Sequence, residues 1–166
     1  MPAWLIIAAV ALAVGEGINL AGQSFGTRIN LAAVAAQFAA SGIFNPVGTG
    51  VNVYIRRIKI ISSAGDAGGG LVAQMTAQLQ FAASTTFINK FAGGGAPKGV
   101  ACGENNATLN HFASIGGTFD ALPLTAATLF VYEPKGPLVA PPGTGWGVWN
   151  QTANTPQTAV YEWDEH

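Results

Sequence analysis

Charge is what this sequence has least of. Of 166 residues, seven are Lys or Arg and eight are Asp or Glu, 9% in all with a formal net charge of −1. An ordinary soluble domain carries about 25%. Seven scattered cations cannot track a phosphate backbone, which argues against nucleic-acid binding. Disordered chains combine low hydrophobicity with high charge, and 49% hydrophobic residues is the opposite balance. A charge-poor surface near neutrality promotes association. The composition therefore points away from a monomeric solution enzyme and toward a self-associating structural protein of one domain.

Residues that carry chemistry are scarce too. Cys102 is the single cysteine, so no intrachain disulfide can form. A lone cysteine reads as a small buried apolar residue rather than a nucleophile. The two histidines, His111 and His166, have no His or Cys at metal-ligand spacing, and His111 reads as an ordinary polar histidine. No G-x-S-x-G elbow occurs. Gly143-Thr144-Gly145-Trp146-Gly147 lacks the Gly-Lys-Ser/Thr that closes a phosphate loop and reads as a turn opening a strand. Glu104, Asp120 and Glu133 are too dispersed for a pair of glycosidase carboxylates. No catalytic residue, cofactor or metal is expected.

Three weaker signals have a plain reading beside a functional one. Glu162 and Asp164, two apart on a strand, share a face suited to a hard cation. More plainly they are a solvated C-terminal tail or intersubunit partners of Arg56 and Arg57. Trp146, Trp149 and Trp163 offer aromatic faces for a sugar, but Trp146 and Trp149 are three apart and point to opposite faces of a strand, so at least one belongs to the core. Asn106-Ala107-Thr108 and Asn150-Gln151-Thr152 match the glycosylation sequon, a pattern that often arises by chance and has meaning in a secreted eukaryotic protein.

What the chain has in excess is small residues: 29 Ala and 22 Gly. Its first 14 residues, MPAWLIIAAVALAV, are apolar throughout. That run is short of the about 20 apolar residues of a membrane span. It carries the A-x-A pattern Ala11-Leu12-Ala13 but no cation before Arg28, whereas a signal peptide has a cationic start. The segment is therefore expected to stay on the chain, with membrane insertion disfavoured. Pro2 near a helix start and the Ala, Leu and Ile content predict a short helix to Val14. Trp4, Leu5, Ile6, Ile7, Val10 and Leu12 surround it, and a helix apolar on every side is buried, here between subunits. Gly15, Gly17, Gly22 and Gly26 then form a tether. The expected division is an apolar arm over residues 1–27 and a β domain over 28–166, with Trp4, Leu5, Ile6, Ile7, Val10, Leu12, Arg56 and Arg57 as the assembly interface.

The β domain is read from hydrophobic alternation. Leu71, Ala73, Met75, Ala77, Leu79 and Phe81 alternate with mostly polar neighbours, which predicts one strand over residues 71–82. Val51, Val53 and Ile55 define one face of an earlier strand, and Ile58 and Ile60 fall on the other parity. That phase change at Arg56-Arg57 marks a β-bulge. Residues 127–132 are apolar on both sides and predict a central strand. Tyr161 and Trp163 alternate with Val160 and Glu162 in the last one. Residues 28–41 are ambiguous between helix and strand, and a strand over residues 33–44 is favoured. About eight short strands with Gly/Pro turns and no βαβ rhythm predict an all-β chain, a jelly-roll β-sandwich.

Two stretches support a resemblance. Phe44-Asn45-Pro46-Val47-Gly48-Thr49-Gly50-Val51 runs into a Val/Ile strand. It is matched near the C-terminus by Pro141-Pro142-Gly143-Thr144-Gly145-Trp146-Gly147-Val148, Asn150-Gln151-Thr152 and Val160-Tyr161-Glu162-Trp163. Over residues 40–62 and 135–165 the chain resembles small tailed-bacteriophage virion proteins with jelly-roll domains, including capsid decoration (cement) proteins. These motifs are turn and strand signatures, and the arm lies outside them. The resemblance implies a non-enzymatic structural protein on the capsid exterior, often a homotrimer, bound to the major capsid protein or other virion proteins. It would stabilise the shell by burying area across its seams. The alternative is a tail-tip or fibre adhesin that binds a host glycan through an exposed Trp such as Trp149.

Overall fold

The computed structural model describes residues 23–61, 66–82, 88–89, 95–108, 111–112 and 118–166. The expected helix, the arm residues Trp4, Leu5, Ile6, Ile7, Val10 and Leu12, and the first three tether glycines lie outside the described residues. Twelve strands and no helix occur among the described residues. They form two antiparallel sheets packed as a β-sandwich.

The first sheet contains β1 (Gln23–Leu31), β3 (Val53–Ile61), β6 (Ile88–Asn89), β9 (Leu129–Tyr132), β10 (Leu138–Ala140) and β12 (Gln157–Glu165). Its order is β10–β3–β12–β1–β6, with β9 also paired to β3. The second contains β2 (Phe38–Asn45), β4 (Asp66–Met75), β5 (Phe81–Ala82), β7 (Val100–Asn106), β8 (Thr118–Leu124) and β11 (Thr144–Asn150). Its order is β5–β7–β2–β11–β4–β8.

The core between the sheets follows from period-2 burial. On β12, Gln157, Ala159, Tyr161 and Trp163 point inward and are buried. Phe25 of β1 packs on Trp163 with ring centroids 5.6 Å apart. Ile43, Val72, Leu122 and Val148 of the second sheet meet Ile29, Ile55, Ile58, Ile60 and Ala159 of the first in one cluster. Each large side chain fully buried there contributes about 1.5–3 kcal/mol. The core is not wholly apolar. Tyr161 donates its hydroxyl to the Ser41 carbonyl at 2.8 Å, and Ser41 donates to Gln157 Oε1 at 2.5 Å. Gln157 donates to Asn150 Oδ1 at 2.8 Å, and Asn150 donates to Thr155. These buried groups satisfy one another across the gap between sheets.

The second sheet is also covered on its other face. Ala40, Phe44, Ala73, Met75, Cys102 and Trp149 point outward and are closed over by Leu79 and Phe112 in a second cluster. Phe112 stacks edge-on against Trp149 at 4.6 Å. Three glycines make the room. A Cβ on Gly42 would lie 2.6 Å from Met75 Cε, one on Gly145 would lie 2.5 Å from the Ile43 carbonyl, and one on Gly147 would lie 2.4 Å from the Ser41 carbonyl.

Several expectations hold. The bulge is at Arg56-Arg57: Arg57 pairs with Glu162 and Ile55 with Trp163, which leaves Arg56 as the extra residue. The strand at Gly143 to Gly147 opens from a turn, with Gly143 at φ +86°. Cys102 is buried.

Others are corrected. The strand expected over residues 33–44 is shifted: β1 runs to Leu31, the chain turns with Ala36 at φ +58°, and β2 starts at Phe38. Gly26, expected in the tether, lies inside β1. The strand expected over residues 71–82 stops at Met75, because Met75 bridges to Phe112 and the Thr76 N–H donates to the His111 carbonyl. The chain then crosses to β5 on the far side of the sheet and lays Leu79 over the outward face. Residues 129–132 form a strand on the margin of the sheet rather than in its centre, paired among the described strands to β3 alone.

Candidate functional site

The second sheet is covered on its outward face over β2, β4, β7 and β11, which leaves the outer face of the first sheet as the one that gathers polar and charged side chains. Its residues are the outward members of the alternation: Ser24, Arg28 and Asn30 on β1, Thr158, Glu162 and Asp164 on β12, Arg56, Arg57, Lys59 and Ile61 on β3. The bulge shapes this face. One extra residue lets Ile55 and Ile58 both reach the core, while Arg56 and Arg57 both reach the outside and meet carboxylates of the same face.

Four of the seven cations of the chain, Arg28, Arg56, Arg57 and Lys59, are on this face. Three are paired within the chain. Arg56 contacts Asp164, which also accepts from the Ser24 hydroxyl. Arg57 bonds Glu133 at 2.5 Å and lies 3.7 Å from Glu162, and Lys59 donates to Glu162 at 2.8 Å. Arg28 donates to Asn30, whose oxygen also accepts from Thr158. Glu162 and Asp164 are thus held by Arg56, Arg57 and Lys59 of their own chain. Among the described residues no group of three His, Cys, Asp or Glu is placed to hold a metal ion.

Beside this ladder the margin is apolar. Ile61 is 38% exposed, Leu129 52%, Val131 43% and Val139 40%. Ile61 pairs with Leu129, and Val131 with Lys59, on neighbouring strands. These four are most of the large exposed apolar side chains among the described residues; the others are Val34 and Val47. The two margin strands differ. The Val139 carbonyl of β10 accepts the Trp146 indole N–H at 2.8 Å, so that strand is tied back to the second sheet. Among the described strands β9 pairs with β3 alone. Apolar edge strands are the places where sheets accept a further strand.

The other candidates resolve into structure. Trp149 and Trp163 are buried, so the adhesin reading loses the exposed Trp149 it relied on. Trp146 is half-buried against the core. Asn150 of the second sequon is fully buried and bonded to Thr155, inaccessible to a glycan in the folded chain. The Glu165 carboxylate, near the C-terminus, accepts the Lys98 and Gly99 N–H groups and the Trp163 indole, pinning the loop before β7. Burial pushes the Cys102 thiol up to about 12, with the charge of Glu104 adding to the rise, so the thiolate that a nucleophile needs is suppressed.

One pair is not visible in the sequence. Glu104 is completely buried on the outward face of β7 and bonds His111 Nδ1 at 2.9 Å and the Gln80 N–H at 3.2 Å. The readable signal is its parity: Glu104 shares a strand face with the buried Cys102, and a carboxylate in an apolar row needs a partner.

No helix among the described residues is long and apolar enough to cross a membrane. No family model, curated protein or solved structure matches the chain.

Proposed function

We propose that the chain is a non-enzymatic virion structural protein of the bacteriophage capsid-decoration kind, and that its sandwich is a jelly roll. The observation that carries this reading is the nesting of strand pairs. β1 pairs with β12, β2 with β11, β3 with β9 and β10, and β4 with β8. First with last, second with next to last, and so inward is the order expected of two Greek keys wound together, the architecture of viral capsid and lectin domains, and it supports the jelly-roll reading. In this view β5, β6 and β7 are an insertion between the fourth and fifth strands of the roll, added to the margins of both sheets.

The working surface is the outer face of the first sheet with its apolar margin. Its partners are the major capsid protein and further copies of the chain, a homotrimer on the capsid exterior being the arrangement favoured by the resemblance. The energy of such a contact is apolar burial, about 25 cal/mol per Å², multiplied by symmetry. The arm of residues 1–14 extends the footprint.

Quantitative mass spectrometry of purified virions tests the reading. A ratio to the major capsid protein that corresponds to hundreds of copies supports a capsid role. A handful of copies in rings of three or six indicates the tail, and absence from the particle overturns the proposal. Deleting residues 1–14 should leave the β domain folded and abolish particle binding. Unchanged occupancy would remove the arm from the mechanism.

A further inference from the structure

Among the described residues the outer edge of β9 has no paired strand, and the same chain carries an apolar segment to match it. We infer that residues 4–12 of one copy pack along β9 of a neighbouring copy, covering Ile61, Leu129 and Val131. The inference rests on the proposed assembly role and specifies how copies hold one another.

Three observations lead there. First, among the described residues four of the six exposed large apolar side chains are at this margin, beside a ladder of paired charges. Second, residues 4–12 are the most apolar stretch of the sequence and contain no charge. They bring Trp4, Leu5, Ile6, Ile7, Val10 and Leu12, aliphatic and aromatic side chains of the size the margin presents.

Third, the lengths fit. The described chain begins at Gln23 in β1. Val131 is level with Lys59, Val160 and Arg28 across β3, β12 and β1. It therefore lies three strand spacings across and five residues along from Gln23, about 22 Å away at about 4.8 Å per strand and about 3.3 Å per residue. The ten residues 13–22 can span about 33–36 Å, so length does not restrict the arm. Direction does. To reach β9 of its own chain, the arm would have to cross the ladder of Glu162, Lys59, Asp164 and Arg56. An arm from a neighbour reaches the edge from outside and leaves that ladder uncrossed.

The test uses the full chain. In sedimentation velocity, wild type should form a discrete oligomer, and Val131→Glu should lose it completely, as should deletion of residues 1–14. Val47→Glu, at a turn residue 84% exposed that sits beside Gly143 after β10 and not on β9, should leave it unchanged. Circular dichroism checks that each variant is folded. Ile7→Cys chains mixed with Val131→Cys chains and oxidised should give a linked dimer, with the buried Cys102 silent. A monomeric wild type, a Val131→Glu oligomer equal to wild type, or mixed chains that fail to link would each overturn the exchange. If Val131→Glu is monomeric yet still occupies virions at the wild-type level, the exchange stands and the arm's part in particle binding falls.

Discussion

Raising the pH is the sharpest single perturbation of this fold, because two acids in its cores and a third at their margin are held protonated by burial. The Cys102 thiol, ordinarily near 9.0, is pushed up to about 12 by burial foremost. The Tyr132 phenol, ordinarily near 10.0, is pushed up to about 12 by burial and then by Asp120. Tyr161, fully buried, is shifted upward by the same desolvation, which its bond to Ser41 partly offsets. Above about pH 9 the unfolded chain gives up the thiol proton, and above about pH 10 the phenolic protons, while the folded chain keeps them. The unfolded state then binds fewer protons, so stability falls as pH rises. These contributions are complete below the unfolded values and are lost as pH climbs toward the folded ones.

A tenfold difference in acidity between the folded and unfolded chain corresponds to about 1.36 kcal/mol. The rise of Cys102 from 9.0 to about 12 therefore removes about 4 kcal/mol of stability by pH 12. Tyr132, on the marginal strand β9, removes less than about 3 kcal/mol more, before Tyr161 is added. A domain of this size has about 5–15 kcal/mol in total. The expected outcome is cooperative unfolding between about pH 10 and 12, followed by far-ultraviolet circular dichroism with tyrosinate absorbance recorded on the same samples. The absorbance step for Tyr132 and Tyr161 should coincide with loss of the β signal. Cys102→Val should move the midpoint upward, since it removes the thiol's contribution. Reversible ionisation of all three tyrosines near pH 10 with the β signal intact would refute the reasoning.

Three further outcomes follow from particular contacts. Gly147→Ala should cost about 3 kcal/mol or more in urea denaturation, because its Cβ would stand 2.4 Å from a backbone carbonyl that cannot yield. Gly136→Ala, in open space, should stay within about 0.5 kcal/mol. His111→Ala should destabilise by about 2–3 kcal/mol by leaving the buried Glu104 carboxylate with the Gln80 N–H. Glu104→Gln, which keeps the shape and a hydrogen-bonding group, should cost less, and equal costs would argue that the pair carries no charge interaction. Arg57→Ala, which breaks exposed pairs to Glu133 and Glu162, should lose under about 1 kcal/mol; a larger loss in the same denaturation series would show that the ladder is a structural network.

The sequence is legible where its alternation has one meaning. The parity flip at Arg56-Arg57 marks the bulge, since one face must stay apolar across it, and the structure has the extra residue there. The alternation at Val160 to Trp163 marks the central β12. Alternation misleads where a row of apolar side chains is buried by something other than the partner sheet. Residues 71–82 keep period 2 past Met75 because Leu79 is buried against the outward cluster after the strand has ended. Residues 129–132 look central because Phe130 and Tyr132 pack toward the core, while Leu129 and Val131 are apolar and exposed. A sequence gives hydrophobicity at each position, and whether a second layer covers it depends on distant segments. The role of Glu104 is hidden for the same reason: His111, its partner, comes from a segment whose return to β4 no local pattern announces.

That second layer also changes how the scarcity of charge is to be understood. A two-sheet sandwich in water ordinarily has two outer faces to decorate with charged residues. Here Gly42, Gly145 and Gly147 clear the outward face of the second sheet for Met75 and Phe112, and Leu79 closes over it. The chain therefore needs charge on one face, and that face holds four of its seven cations. Low charge is in part the consequence of internal burial rather than of association. The proposed assembly accordingly rests on a narrower observation than composition: among the described residues, an edge strand with Leu129 and Val131 open to solvent.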